Sequence, residues 1–371
     1  MKIVFISNGL GGGGAEKQLL FIAAALSRAG HSCVIYTLQK LSPGRRLDAL
    51  YQEVRAAGVN WEAPQTASRL PWRELRALRR EVRSERWAVV WSWGHRADLA
   101  ALALRLMNVR LVWICSLRDA NDARMMRLRW LWWIIDLFVS GYASNSRRSL
   151  EMLDRIIGNS GQKGAVIMNA LNFPEAPQKR DATLDRPAHL RIVMLGNILI
   201  HKKGYDVAVT LAARFRDEGL PFSIHIGGAP MEAERLRQLT ELAGVGGILK
   251  MEGRVEAPLV FLGEGDVFLM LSRYEGTPNA LLEAMSLGLP AVCTRVGDVA
   301  NFARDRVHVR VVDPEDVEGT FQALRDLWQN WPEAVAMGHR GQELCRELFT
   351  SERMTADALA LLERFTSEGA R

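Results

Sequence analysis

Two glutamates bracket the stretch Glu275-Gly276-Thr277-Pro278-Asn279-Ala280-Leu281-Leu282-Glu283, and the residues between them spell an abrupt helix start. Thr277 can cap that helix, and Pro278 fits its first position, where a missing N–H costs nothing. Leu281, Leu282 and Met285 give it an apolar face. Gly288 ends it and Pro290 prevents its return. A helix start points backbone N–H groups and a partial positive charge at whatever lies in front of it, which suits a phosphate. With Glu275 at the mouth and Glu283 more than a turn inside, the ligand this arrangement fits carries both phosphate and hydroxyl groups, as a nucleotide sugar does.

Two loops add to that chemistry. Gly196-Asn197-Ile198-Leu199-Ile200-His201-Lys202-Lys203-Gly204 follows an apolar strand, and a lysine there supplies a point charge for a phosphate; two solvated loop lysines are the plainer reading. Gly9-Leu10-Gly11-Gly12-Gly13-Gly14-Ala15-Glu16 follows the first strand and formally matches the dinucleotide fingerprint. The acidic residue expected after the second strand is missing, and Thr37-Leu38-Gln39-Lys40 stands there instead. Arg45 and Arg46 keep a 2′-phosphate reading open. The looser reading is a glycine loop whose amides line a cleft facing a diphosphate.

Short apolar strands alternating with helical segments must position these loops, which argues for parallel α/β sheets. Strands are expected at 2–7, 32–38, 88–92, 111–115 and 139–143, with 166–168 closing the first half. A Pro- and charge-rich linker spans 173–189. A second alternation places strands at 190–195, 222–226, 249–252, 267–271 and 291–294, with helices over 207–217 and 232–243. The chain thus reads as two Rossmann-like α/β/α domains, 1–172 and 190–350, joined by that linker. Ligands of such sheets bind beyond the strand C-terminal ends, here in a cleft between the domains.

Composition narrows the class. An apolar fraction of 48% over 371 residues supports two real cores. Cys33, Cys115, Cys293 and Cys345 are scattered without metal or pairing spacing, so they read as reduced core residues of a cytoplasmic protein. The histidines form no ligand cluster, and no structural metal is expected. No apolar run is long enough to span a bilayer; the best, 130–139, is short and carries Asp136. The net charge of +6 is unevenly placed. Arg69, Arg73, Arg76, Arg80 and Arg83 form one helical stripe, and Arg124, Arg127 and Arg129 run into Trp130, Trp132 and Trp133. Such segments fit a protein resting on anionic headgroups at the inner face of a membrane, and equally a solvated arginine face over a core helix. No nucleic-acid recognition module is present.

Taken together, Gly12 to Glu16, the Gly196…Lys203-Gly204 loop and Glu275…Glu283-Ala-Met-Ser-Leu-Gly-Leu-Pro290 resemble the retaining glycosyltransferases of family four, also called group 1. The Thr294-Arg-Val-Gly297-Asp298 and Val312-Asp313-Pro314-Glu315-Asp316 segments fit the same pattern, and the resemblance covers essentially the whole chain. It implies a GT-B architecture, with a last helix near 352–365 crossing back so that about 351–371 joins the first domain. It also implies a nucleotide diphosphate sugar as substrate, no cofactor and no bound metal. By position, Lys203 or Lys202 would bind the donor diphosphate and Glu275 the hydroxyls of the transferred sugar. Backbone amides of Gly276, Thr277 and Asn279, around Pro278, would hold sugar and phosphate, and Glu283 the nucleoside ribose. Gly12, Gly13 and Gly14 would close on the phosphates. Asn197 stands where many members carry an arginine, and the second lysine offers compensation. On the acceptor side, with Glu16, the segments Trp91…Asp98, Ser116…Asp119 and Ser144-Asn145-Ser146 resemble turns lining the first domain. There His95 and Arg96 compete for the place beside the reacting sugar, with Arg118 and Asn145 nearby.

The resulting expectation is retaining transfer of a hexose or N-acetylhexosamine, with UDP-sugars favoured, to a glycan or lipid-linked acceptor in surface polysaccharide or glycoconjugate synthesis. Lys203, Glu275 and His95 form the reacting set. A UDP-sugar epimerase of the same fold would turn over without acceptor, and a non-catalytic binder of nucleotide sugars would not turn over at all. A glycosidase would need its two carboxyls across a sugar site, at odds with Glu283 inside a helix beside a phosphate-suited helix start.

Overall fold

A computed structural model defines the architecture. It describes residues 1–10, 13–39, 48–62, 72–83, 88–107, 111–118, 122–158, 160–171 and 185–367. Gly11, Gly12, Lys40, Arg45, Arg46, Arg69 and Asp119 lie outside these, as does most of the expected linker. The chain divides into two compact units, Met1–Ala170 with Phe349–Arg371, and Leu171–Leu348.

In the first unit, β1 (Lys2–Ser7), β2 (Ser32–Thr37), β3 (Asn60–Glu62), β4 (Ala88–Trp93), β5 (Val112–Leu117), β6 (Gly141–Ser144) and β7 (Gly164–Val166) form a parallel sheet. Their order is β3-β2-β1-β4-β5-β6-β7. The two-residue period of a strand sends β1 side chains alternately to two cores. Ile3 and Phe5 meet the Gly14–Arg28 and Ser351–Ser367 helices. Val4 and Ile6 meet the helices Trp72–Arg83, His95–Leu106, Arg129–Phe138 and Arg147–Ile157. Both faces are covered, so the strands read as near-continuous apolar runs. The closing helix returns to this unit: Met354, Ala358, Leu361 and Leu362 share a core with Leu19 and Ile22.

In the second unit, β8 (Leu190–Leu195), β9 (Phe222–Gly227), β10 (Leu249–Gly253), β11 (Val267–Met270), β12 (Ala291–Thr294) and β13 (Arg310–Val312) form another parallel sheet. The order is β10-β9-β8-β11-β12-β13. Both orders reverse direction around their first strand, the pattern of a doubly wound fold. Sequence pattern missed the edge strands β3 and β13, three residues each, which carry no apolar run. It also placed β7 two residues late. Of the linker stretch, the described end is anchored to the second unit: Trp328 Nε1 donates to the Pro187 carbonyl at 2.8 Å.

Candidate functional site

The second unit gathers its chemistry where β8 and β11 end. After β8 the chain makes one short helix, Ile200–Lys203, and turns at Gly204 with φ of +68°. A Cβ on Gly204 would sit 2.1 Å from the Leu271 carbonyl oxygen, so only glycine lets this turn lie against the end of β11. Arg273 then ties the two loops together. Its N–H donates to the Lys202 carbonyl at 2.9 Å, and its guanidinium to the His201 carbonyl at 2.7 Å. The same guanidinium forks onto both Asp206 oxygens at 2.9 Å and reaches Glu315 at 2.7 Å. Burial alone would raise the Asp206 carboxyl, but the Arg273 hydrogen bonds and charge hold it below its usual range.

That clamp brings Lys203 to Glu275. Lys203 Nζ donates to Glu275 Oε1 at 2.5 Å, and Ser272 Oγ donates to the same oxygen at 2.8 Å. Burial pushes the Glu275 carboxyl up. The charge and hydrogen bond of Lys203, the charge of Lys202 and the Ser272 hydroxyl outweigh it and hold the group below its ordinary value. Glu275 is therefore an acceptor of hydrogen bonds at neutral pH and no proton donor. Lys202 Nζ lies 5.0 Å from the Tyr274 ring centroid.

Beyond Glu275 the helix begins later than its sequence suggests. It spans Asn279–Ser286, with Pro278 at the N-cap in an extended conformation and no side-chain cap bond. Thr277 is thus not the cap, and Pro278 is not the first helical residue: Pro278 accepts the first helical bond through its carbonyl, from Leu282 N–H at 3.2 Å. The first turn still has N–H groups without intrahelical acceptors by geometry. The approach to it is held by main chain. Gly276 O accepts from Asp298 N–H at 3.1 Å, and a Cβ on Gly297 would fall 1.8 Å from that same oxygen. Gly276, Thr277, Pro278 and Glu283 are buried, Asn279 is half-buried, and Asn197 is exposed on the loop after β8. Arg273 and Ser272 were not singled out in the sequence; an arginine within a loop carries no pattern until its partners are known.

The residues expected on the acceptor side lie in the first unit. Gly13 is the N-cap of the Gly14–Arg28 helix, and its N–H donates to Glu16 Oε2 at 2.7 Å, so Glu16 caps its own helix. His95 opens the His95–Leu106 helix, half-buried, with Nδ1 3.9 Å from Asp98 Oδ2 and its ring edge-on to Trp132. Arg96 is exposed. Sequence alone left His95 and Arg96 level; the structure separates them by environment. Asn8 Oδ1 accepts from Ala97 N–H at 3.2 Å and so caps that helix from the loop after β1. The Arg118 guanidinium lies 4.0 Å over the Trp93 ring and donates to Asn169 Oδ1 at 3.3 Å; burial brings its pKa down to about 9. Asn145 is buried. Beneath these, Asp98 accepts from Ser92 Oγ at 2.7 Å, and burial raises its carboxyl to about 7 against the hydrogen bonds of Ser92 and Cys115. Among the described residues no group of three or more His, Cys, Asp or Glu side chains could hold a metal ion.

Residues 189–330 match the model for "Glycosyl transferases group 1", and residues 12–174 that for "Glycosyltransferase Family 4". The chain is 30% identical over 182 residues to the lipopolysaccharide core biosynthesis glycosyltransferase LpsE of Rhizobium meliloti, covering 49% of this chain and 52% of that one. It is 27% identical to the O-antigen chain mannosyltransferase C of Escherichia coli, covering 46% and 47%. These alignments span about half the length of each curated relative. The crystal structure of Anabaena Alr3699/HepE, in complex with UDP and glucose, superposes with a TM-score of 0.81 over 98% of this chain and 99% of that one, at 15% identity. At that identity the likeness speaks for the fold, which is the two-domain α/β GT-B class.

Proposed function

The chain belongs to the group 1, family 4 glycosyltransferases, and from that premise we propose that it moves a hexose or N-acetylhexosamine from a UDP-sugar to a glycan or lipid-linked acceptor in surface polysaccharide synthesis, with retention at the anomeric carbon. The observation that carries this reading is the Lys203–Glu275 pair held beside the Asn279 helix start by Ser272 and the Arg273 clamp.

The task is charge management. Breaking the anomeric bond leaves a nucleoside diphosphate and an oxocarbenium-like sugar. Under this proposal Lys203, the amides around Gly276–Asn279 and the helix dipole stabilise the departing phosphate, and fixed dipoles need no reorganisation at the moment of reaction. In this reading the protein's own cations neutralise the diphosphate and no resident metal is needed. Glu275, held ionised, would accept hydrogen bonds from sugar hydroxyls and orient the ring. Glu283, buried on the same helix, would take the ribose hydroxyls. Front-face attack follows: the departing phosphate oxygen takes the acceptor proton, so neither glutamate serves as a base. His95 would orient the acceptor. The UDP preference is supported by the ligand of the Anabaena structure, and the polysaccharide role by the names of the curated relatives.

A donor screen following nucleotide release, with UDP-, GDP- and ADP-sugars and a membrane-lipid extract as acceptor source, tests this. Acceptor-dependent release from one UDP-sugar is expected. Release or sugar conversion without acceptor would favour an epimerase, and binding without turnover a non-catalytic subunit.

A further inference from the structure

The Arg129–Phe138 helix is apolar on two opposite sides. Trp132 and Ile135 enter the core. Trp130, Trp133, Ile134 and Leu137 recur at helical spacing on the outside, where they are 60%, 62%, 38% and 78% exposed. A surface helix ordinarily carries polar residues there, and one apolar all round is ordinarily buried. The pattern extends to neighbours in the same helix layer: Leu99 and Leu106 on the His95–Leu106 helix and Met126 are also exposed. Most exposed large hydrophobic side chains among the described residues lie between positions 99 and 137. An exposed apolar concentration of this kind marks an interaction surface.

Its charge says what it meets. Among the described residues, a surface cleft of about 470 Å³ is lined by Met126, Arg129, Trp130, Trp133, Arg155 and Ile156: two guanidinium groups and two indoles, with no carboxylate among them. Trp133 is fixed there, donating Nε1–H to the Ile156 carbonyl at 2.9 Å, while its ring stays exposed. The helix's one acid, Asp136, is engaged elsewhere, with Tyr142 and Lys163 at 3.1 Å each. Arg127 is exposed beside the cleft, and Arg76, Arg80 and Arg83 are exposed on the Trp72–Arg83 helix of the same layer. The side chains of Arg73 and Arg124 lie outside the described residues. Exposed acids do occur nearby, at Glu151 and Asp154 of the Arg147–Ile157 helix, but neither lines the cleft.

We propose that this face docks on an anionic phospholipid bilayer, with Trp130, Trp133 and Leu137 entering the boundary between headgroups and acyl chains and Arg129 and Arg155 holding a lipid phosphate. Guanidinium forks match phosphate oxygens, and indoles favour the membrane–water boundary. No described helix is long and apolar enough to cross a membrane, so the docking is peripheral. The proposal stands apart from the transfer reading, because vesicle binding is measured with neither donor nor acceptor present.

The test is co-sedimentation and tryptophan emission of the full chain with vesicles of phosphatidylcholine alone and of phosphatidylcholine with phosphatidylglycerol, at low and high salt. Binding and a blue shift with the anionic vesicles, weakened by salt, are expected. The pair Arg129→Gln with Arg155→Gln should lower partitioning roughly tenfold to thirtyfold. Trp130→Ser with Leu137→Ser should abolish it, and an unchanged melting temperature for both pairs shows that the fold is intact. Equal binding to the two vesicle types, or wild-type binding by both pairs, overturns the proposal. So does a solution dimer that Trp130→Ser with Leu137→Ser dissociates, since a second copy would then cover the face.

Discussion

The two units share a sheet plan but hold their loops in different ways. Around Lys203 and Glu275 main chain rests on main chain: Gly204 against the Leu271 carbonyl, Gly297 against the Gly276 carbonyl. Such contacts cannot relax by a change of rotamer. In the first unit the close approaches are made by side chains. Asn8 crowds Gly94, and the Phe365 ring covers Gly141, where a Cβ would meet Cε2 at 2.3 Å. The first unit also exposes the apolar helix layer, whereas exposed large hydrophobics in the second are scattered at Met231, Leu242 and Val260. Backbone contacts hold the charged loops around Lys203 and Glu275, although side chains crowd Gly227 and Gly265 of the same unit.

The largest effect should come from the fixed charges. Lys203→Ala is expected to lower kcat about 10²–10³-fold, roughly 2.7–4 kcal/mol in the barrier. With the lysine gone, burial acts on Glu275 without its main opponent. The carboxyl then rises, and the acid limb of the pH–rate profile should move to higher pH. A small drop in kcat with an unmoved acid limb would place the reacting phosphate elsewhere.

Next come the glycines. Gly204→Ala adds strain at positive φ and a clash with a carbonyl that has no rotamer to change, and about 1–3 kcal/mol of stability should be lost. Gly141→Ala should cost less, and Phe365→Leu should restore most of the loss. Thermal melts of the three variants decide. Equal, unrescued losses would erase the contrast between the units.

A pH effect on stability is expected from Asp98 in the first unit. Asp98 titrates near 7 in the fold, chiefly through burial, and near 3.8 when exposed. The folded chain therefore holds a proton that the unfolded chain releases between those values. Its contribution is fully present below about pH 3.8 and is lost as pH rises through about 7. Asp98→Asn should flatten that slope in melting temperature measured from pH 5 to 8. A slope unchanged from wild type would assign it to other groups.

The smallest effect is expected from Arg273→Lys, which keeps the charge and loses the fork onto Asp206. A donor KM raised about tenfold, with kcat little changed, would show the clamp positioning Lys203; an unchanged KM would show that it does not.

Most of this architecture was legible because buried parallel strands are written as apolar runs. β1, β8 and β12 have the ranges their sequences suggest. β3 was not legible because Trp61 is its one apolar residue, and β13 offers only the Val311-Val312 pair. The helix at Asn279 was misplaced by one residue for a physical reason. Thr277 and Pro278 have the right types for a cap and a first position, but the interlock of Gly276 and Gly297 fixes the chain's entry and puts Pro278 at the cap. At the site, Lys203 and Glu275 were visible as types, whereas Arg273 and Ser272 matter only through their partners. His95 and Arg96 differ in burial and in nearness to Asp98, which a sequence does not display.

The central claim is that a diphosphate settles between Lys203 and the amides leading into the Asn279–Ser286 helix. A crystal structure of the chain with UDP tests it most directly. The account predicts the β-phosphate within hydrogen-bonding distance of Lys203 Nζ and at least one N–H of the Gly276–Ala280 stretch. A nucleotide bound away from both, or none at saturating UDP, would contradict it.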